Sequence, residues 1–364
     1  MYNSEEDTLV FIMEKIVETV SGSKINKYDM VTKYFGDKTV MMFDIETTGL
    51  SPISSFTYLI GVNVFKDGKW DIIQLFNDDG TSEPDIIREF HSIISDADVL
   101  IEFNGDTFDI PYIRKRMNTI ESRFHISMTD NFEEVVPYDL LKMIRKYKFA
   151  LGLPNVKQKT VEKYLGINRV DMYNGGQLID VYLGYLAARD EKSKKLVLRH
   201  NRDDMEGMIF LSSILTIEAM CEGFLEVTDI RTESRLSDQT SGNALTLVLD
   251  GKLEYPLIKP ICTMGLGIDI DADGGDIRVK IPISVGSYRL YYGNDEKTGF
   301  EEREGYFIPV LNTLNVSDAI PCFKEKARDK KGYLMLNDEF LGKPDLIRHY
   351  LAATISSVMQ SKGH

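Results

Sequence analysis

Thr39-Val40-Met41-Met42-Phe43-Asp44-Ile45-Glu46-Thr47-Thr48-Gly49-Leu50 is the stretch that decides the fold. Apolar side chains fill 40–43, and a run of that kind reads as a buried central strand. The strand ends in two carboxylates, and because side chains alternate along a strand, Asp44 and Glu46 share one face. Two like charges side by side in a core are costly unless a cation neutralises both. Hard oxygen ligands on a rigid strand suit magnesium or manganese. A bare Asp-x-Glu is more often a strand running out into a polar turn, whereas the residues from Phe43 to Leu50 taken together are far more specific.

The 364 residues, 43% of them hydrophobic, suffice for a sizeable core and suggest two domains more readily than one. Cys221, Cys262 and Cys322 are scattered and the histidines few, so there is no zinc-type spacing and a metal is expected on carboxylates. Unpaired cysteines, with an acidic start (Met1-Tyr2-Asn3-Ser4-Glu5-Glu6-Asp7) unsuited to a signal peptide, point to a reducing cytoplasm. No apolar stretch is long enough to span a bilayer, so no membrane partner is expected. The formal net charge of −14 argues against a general nucleic-acid coat protein, since phosphate selects for Lys and Arg. A nuclease is still compatible, because its metal site itself contributes acids.

Outward from the opening strand the pattern stays strand-like over 39–46, 57–65 and 69–76, with an Asp67-Gly68 turn predicting an antiparallel meander. A helix over 83–95, a strand over 97–103 and a helix starting at Asp109 follow, an alternation that implies parallel strands with the active edge at their ends. A fifth strand near 135–140 is limited by Pro137 to an edge or a strand end. Upstream, Leu9, Ile12, Met13, Ile16, Val17 and Val20 recur at helical spacing, predicting an amphipathic arm within 1–37 packed on the main domain. Downstream, 155–166 and 177–189 read as helices parted by the turn-rich Tyr173-Asn174-Gly175-Gly176, and a long helix runs from about 201 to 220. The polar stretch 228–243 reads as a linker, which sets the predicted domains at 38–227 and 228–364. In the last third hairpins dominate, 245–249 with 252–257 across Asp250-Gly251 and 267–270 with 277–283, before a final helix from Pro344 to about Gln360. The fold class is α/β: a mixed sheet flanked by helices, then a β-rich (α+β) accessory region.

Further acids converge on the opening pair. Phe103-Asn104-Gly105-Asp106-Thr107-Phe108-Asp109 lies where the fourth strand gives way to a helix, so an acid there reaches the end of the neighbouring strand. Asp109 is the choice and Asp106 the rival, while Asn104 is placed to hydrogen-bond substrate. In His200-Asn201-Arg202-Asp203-Asp204-Met205, Asp204 lines up with Met208, Leu211 and Leu215 on one helical stripe, leaving Asp203 outside it. His200 stands one helical step before Asp204. Asp139 is a weaker candidate for support behind the ligands. Four carboxylates holding two divalent cations, Mg2+ or Mn2+, make a clamp for in-line displacement at phosphorus, with a neutral His200 to take a proton from water. Thr47, Thr48, Gly49 and Leu50 form the turn expected to meet the terminal nucleotide.

Phe-Asp-x-Glu-Thr-Thr-Gly-Leu, then Phe-Asn-Gly-x-x-Phe-Asp-x-Pro, then His-Asn-x-x-Asp resembles the DEDD (DnaQ-like) exonuclease superfamily, and within it the YprB-type ribonuclease-H-like domain. The likeness covers about 38–222, and Tyr138-Asp139-Leu140-Leu141 also looks like that family. It implies a ribonuclease-H-like fold and a two-metal 3′-to-5′ exonuclease mechanism on single-stranded DNA or RNA, with Asp44, Glu46, Asp109 and Asp204 as metal ligands. One departure concerns the histidine: the histidine class places it five residues before the last Asp and the tyrosine class places Tyr four before, and here His200 stands at the tyrosine spacing. From other classes, a catalytically silent nucleic-acid-binding protein on the same fold is disfavoured because all four acids are present. A structure-selective endonuclease is separated by end-blocked substrates.

In the last third, Asp269-Ile270-Asp271-Ala272-Asp273-Gly274 imitates an EF-hand start, but Lys280 occupies the position needing a bidentate Glu and the flanks read as strands, so a hairpin turn is expected. Lys324, Lys326, Arg328, Lys330 and Lys331, with Tyr288, Arg289, Tyr291 and Tyr292, interleave basic and aromatic side chains in a way that suits single strands. Solvated surface is the duller reading, since Glu325 and Asp329 dilute the charge.

Overall fold

The computed structural model describes residues 13–20, 22, 25, 27, 29–167, 175–235, 244–292, 299–311 and 321–361. They divide into two compact units, one running to Met143 and resuming over Lys157–Ser213, the other made of Ile144–Val156 and the residues from Ile214 onward.

The first unit is built on a mixed sheet. Strands β2 (Val40–Thr47), β3 (Thr57–Lys66) and β4 (Lys69–Phe76) make the antiparallel meander, closed at Lys66↔Lys69 by the Asp67-Gly68 turn. On the other side of β2, β5 (Val99–Glu102) and then β6 (Val136–Asp139) pair in parallel, with the Pro137 strand at the edge. With β1 (Glu14–Val20) at the far edge, the order is β1-β4-β3-β2-β5-β6. Because β2, β5 and β6 run the same way, the acids that end them, Glu46, Glu102 and Asp139, come out at one edge.

Strand β1 (Glu14–Val20) corrects the helical expectation for the arm: it pairs antiparallel with β4 from Glu14↔Phe76 to Val20↔Trp70. Ile16, Val17, Thr19 and Val20 are β-branched, and a ready sheet edge outweighs a helical periodicity that those side chains support poorly. The earlier part of that predicted helix, and residues 173–174 of the predicted turn, lie outside the described residues. A short helix α1 (Val31–Phe35) follows.

Alternation then divides β2 between two surroundings. Phe43 and Ile45 enter a core with Ile86, Ile87 and Phe90 of α2 (Glu83–Ile94) and Ile113 and Met117 of α3 (Asp109–Phe124). Asp44 and Glu46 therefore face the other way. Helices α4 (Leu140–Tyr147), α5 (Gln158–Tyr164), α6 (Gly175–Ala188) and α7 (Glu191–Leu211) follow. Helix α7 starts a full ten residues before the sequence pattern suggests, because Asp190 caps it by accepting the Lys192 and Ser193 N–H groups. It gives way to a 3₁₀ turn at Ser212–Ile214, so the single helix expected to about 220 is two.

The second unit continues with α8 (Leu215–Glu222) and a seven-stranded antiparallel sheet: β7 (Leu225–Arg235), β8 (Ala244–Leu253), β9 (Ile261–Gly265), β10 (Ile268–Asp273), β11 (Asp276–Tyr291), β12 (Phe300–Val310) and β13 (Gly332–Met335). A short helix α9 (Asp338–Leu341) and the expected α10 (Pro344–Gln360) close it. Two expectations are corrected. The predicted linker is strand as far as Arg235, zipped to β8; its remainder, 236–243, lies outside the described residues. Asp250-Gly251 makes no turn and stays within β8. Asp250 accepts Arg231 from one neighbouring strand and Arg278 from the other, and Gly251 leaves room for the Glu226 carbonyl, which an added Cβ would meet at 2.7 Å. The calcium-loop mimic is the β10–β11 hairpin, as expected. Tyr288 is buried with Phe307 and Phe323 and so is committed to the fold, and Arg289 lies over Phe300 while pairing with Glu302 at the surface. Among the described residues no helix is long and apolar enough to cross a membrane.

Candidate active site

Asp44, Glu46, Asp106, Asp109, Asp139, Asp203 and Asp204 all belong to the first unit. Asp44 and Glu46 stand half-buried on the outward-turned face of β2, opposite Gly61 and Leu59 of β3. A bulge between Glu46 and Thr47 ends the regular ladder there, a device that re-aims side chains beside functional sites. Asp109 is the first residue of α3, and its carboxylate accepts its own backbone N–H and that of Ile45. Ile45 lies beyond the last β2–β5 rung, Met42↔Ile101, so its N–H is open to that bond. Asp106 instead pairs with Lys142.

Helix α7 brings the remaining groups. His200 Nε2 lies 3.2 Å from Asp204 Oδ2 and 3.8 Å from Glu46 Oε1. Ligand atoms of Glu46, His200 and Asp204 all fall within 4.8 Å of one another. Asp203, off the stripe, pairs with Arg199 and Arg202 on the surface.

What holds α7 against the sheet went unread in the sequence. Asn63 Nδ2 on β3 donates to the Met205 carbonyl at 2.7 Å, and Gln74 Nε2 on β4 donates to the Leu198 carbonyl at 2.8 Å and to Asn201 Oδ1 at 3.0 Å. Buried amides need such partners, and here they fix the helix one residue from His200 and one from Asp204. Gly61 permits the approach: a Cβ there would sit 2.6 Å from both Asn201 Oδ1 and Met205 Cγ.

The turn after β2 is closed on itself. Thr47 Oγ1 donates to the Gly49 carbonyl at 3.0 Å, and Thr48 and Phe56 exchange backbone and hydroxyl bonds. Arg116 grips the buried Glu83 through two bonds and also donates to the Pro52 carbonyl at 2.8 Å, and Ser55 meets the Tyr112 hydroxyl at 3.0 Å. Both threonine hydroxyls are thus engaged in the turn, and what the loop presents outward is Leu50, 85% exposed, and Ile53, 84% exposed. Asn104 has φ 74° and its Oδ1 accepts the Thr107 hydroxyl, so it shapes the turn before Asp109. Asp139 Oδ1 accepts the N–H groups of Asn104, Leu141 and Lys142, tying that turn to β6.

Burial raises the Glu46 carboxyl well above the carboxylate range, and the charges of Asp204 and Asp109 add to the shift, while the nearby Tyr58 hydroxyl opposes it. Asp109 is likewise raised, first by burial and then by Asp139, against its backbone donors. Such a set lacks positive charge. The carboxylate oxygens of Glu46 and Asp204 come within 4.8 Å of each other, and such hard donors without a neutralising partner fit a divalent ion. The folded metal-free protein keeps protons on these acids that the unfolded chain releases near pH 4, so stability falls as pH rises from there through the raised folded values. Magnesium binds the ionised form, and the gain in melting temperature over EDTA is expected to grow with pH across that window. A gain independent of pH contradicts this.

Residues 41–216 match the family model of the RNase H superfamily. The chain is 26% identical over 204 residues to the uncharacterized protein YprB of Bacillus subtilis (strain 168), covering 55% of this chain and 47% of that protein. It is 33% identical over 147 residues to a DNA polymerase of Thermococcus sp. (strain 9oN-7), covering 34% of this chain and 18% of the polymerase. The chain thus spans about half or less of the length of these relatives. Among solved structures, the family B DNA polymerase of Pyrobaculum calidifontis aligns with TM-score 0.43 and 10% identity over 89% of this chain and 46% of that one. A zinc-bound E. coli ExoI–ssDNA complex aligns with TM-score 0.29 and 14% identity over 58% of this chain and 54% of that one. With its mixed sheet and acids at the strand ends, the stretch from 41 to 216 has an RNase H-like fold, in keeping with its match to the model of that superfamily.

Proposed function

We propose that this chain is a metal-dependent 3′-to-5′ exonuclease acting on single-stranded nucleic acid. The observation that carries the reading is the meeting of three distant segments: Asp109 bonds the backbone of Ile45, and Asp204 and His200 close on Glu46. Asp44, Glu46, Asp109 and Asp204 are the residues to hold two divalent cations, magnesium or manganese. Bound there, such ions supply positive charge to the attacking and leaving oxygens of a phosphodiester.

The chain's own groups do the rest. Leu50 and Ile53, on a loop pinned by Arg116, offer apolar surface to the terminal bases beside the acids. His200 is the group to accept a proton from the attacking water, its Nε2, which meets Asp204 Oδ2 here, being freed for that when Asp204 turns to a cation. His200→Ala is expected to lower kcat by about 100-fold or more while manganese affinity changes little. Unchanged kcat removes His200 from the mechanism.

Digestion of matched DNA and RNA single strands, each with the 3′ or the 5′ end blocked, tests the reading as a whole. Mononucleotide release that stops only with a blocked 3′ end is expected. Internal cuts in doubly blocked strands, or no metal-dependent hydrolysis of either polymer, overturn it.

A further inference from the structure

A second group of acids lies beside the first. Glu102 ends β5 and Asp139 ends β6, directly paired across the parallel ladder, and Asp106 stands on the turn between β5 and α3. Ligand oxygens of the three lie within 4.8 Å of one another. An acidic cluster alone says little, but two of these side chains are deeply buried with an oxygen left over. Glu102 is 0% exposed; one carboxylate oxygen accepts the Gly105 N–H, and Oε1 accepts no hydrogen bond. Asp139 is 7% exposed; Oδ1 takes three backbone donors, and Oδ2 takes none. An unsatisfied buried carboxylate oxygen is costly, and two on adjacent strand ends compound the cost unless something positive sits between them. Lys142 neutralises Asp106 from the solvent side, yet neither spare oxygen is bonded to it.

We infer that Glu102, Asp106 and Asp139 form a further divalent-cation site, separate from the Asp44–Glu46 centre, at the ends of β5 and β6. Three carboxylates less one lysine leave a charge that a divalent ion balances, and oxygens up to 4.8 Å apart fit around one ion at about 2.4 Å. The ion would tie both strand ends to the Asn104–Phe108 turn. That turn sets the start of α3, and so the place of Asp109. The site is a positioning one: it touches no reacting atom, and it rests on its own residues rather than on the hydrolytic reading.

The test uses the full chain carrying Asp44→Asn and Asp204→Asn, so that the first centre is already disabled. Manganese titration followed by EPR is expected to show one ion still bound, and thermal melting to show that manganese raises the melting temperature. Adding Asp106→Asn or Glu102→Gln is expected to weaken binding at least tenfold and to remove the thermal gain. Adding Lys142→Ala instead is expected to tighten binding, because the competing ammonium is gone. If Glu102→Gln fails to fold by circular dichroism, Asp106→Asn, on the turn, decides. No ion bound in the background protein, as when the two carboxyls simply share a proton, overturns the inference. So does binding undiminished by Asp106→Asn.

Discussion

Asp44→Asn is expected to cut metal-dependent hydrolysis of a labelled single strand by at least about a thousandfold, about 4 kcal/mol of transition-state stabilisation, with the fold retained. The size follows from position. Asp44 sits on the buried central strand, sharing a face with Glu46, where replacing one charged oxygen by an amide removes a ligand and lowers the charge that draws cations in. Because Phe43 and Ile45 on the other face carry the packing, the melting temperature of the metal-free protein is expected to hold or rise. Relief of like-charge crowding accounts for a rise. Loss of activity together with loss of folding contradicts this division of labour between the two faces, and so does activity within tenfold of the parent.

The second large effect comes from a residue without a side chain. Gly61→Val is expected to destabilise the protein by about 1–3 kcal/mol and to lower kcat by about 100-fold. The new Cβ collides with Asn201 Oδ1 and Met205 Cγ, each at 2.6 Å. Neither yields cheaply: Asn201 is buried and bonded to Gln74, and Met205 is buried with its carbonyl held by Asn63. The helix must therefore back away, taking His200 and Asp204 from Glu46. Gly61→Ala is expected to show the same signs at smaller size. Full activity in Gly61→Val contradicts the claim that close contact of α7 with β3 places these groups.

What could be read from the chain alone were the features whose cause is local. The alternation in β2 puts Asp44 and Glu46 together, and the stripe of Asp204, Met208 and Leu211 orients α7, because each depends only on a period of 2 or 3.6 residues. The choice of Asp109 over Asp106 leaned on reach, and the Ile45 N–H that Asp109 meets belongs to another strand. Illegible were the residues whose partners are remote. Asn63 meets Met205 across 142 positions, Gln74 meets Asn201 across 127, and Arg116 meets Pro52 across 64. Each looks like an ordinary polar side chain until the sheet is assembled. The same holds for β1, a strand only because β4 offers an edge, and for Asp250-Gly251, which reads as a turn until Arg231 and Arg278 arrive from both sides.

Crystals of the full chain grown with manganese, with data collected for its anomalous signal, test the central claim most directly. The expected map places manganese within about 2.0–2.4 Å of carboxylate oxygens from both the Asp44–Glu46 strand and Asp109 or Asp204. A map with no peak at the end of that strand, and with Asp109 or Asp204 turned away from it, contradicts the claim that these four acids form one metal centre.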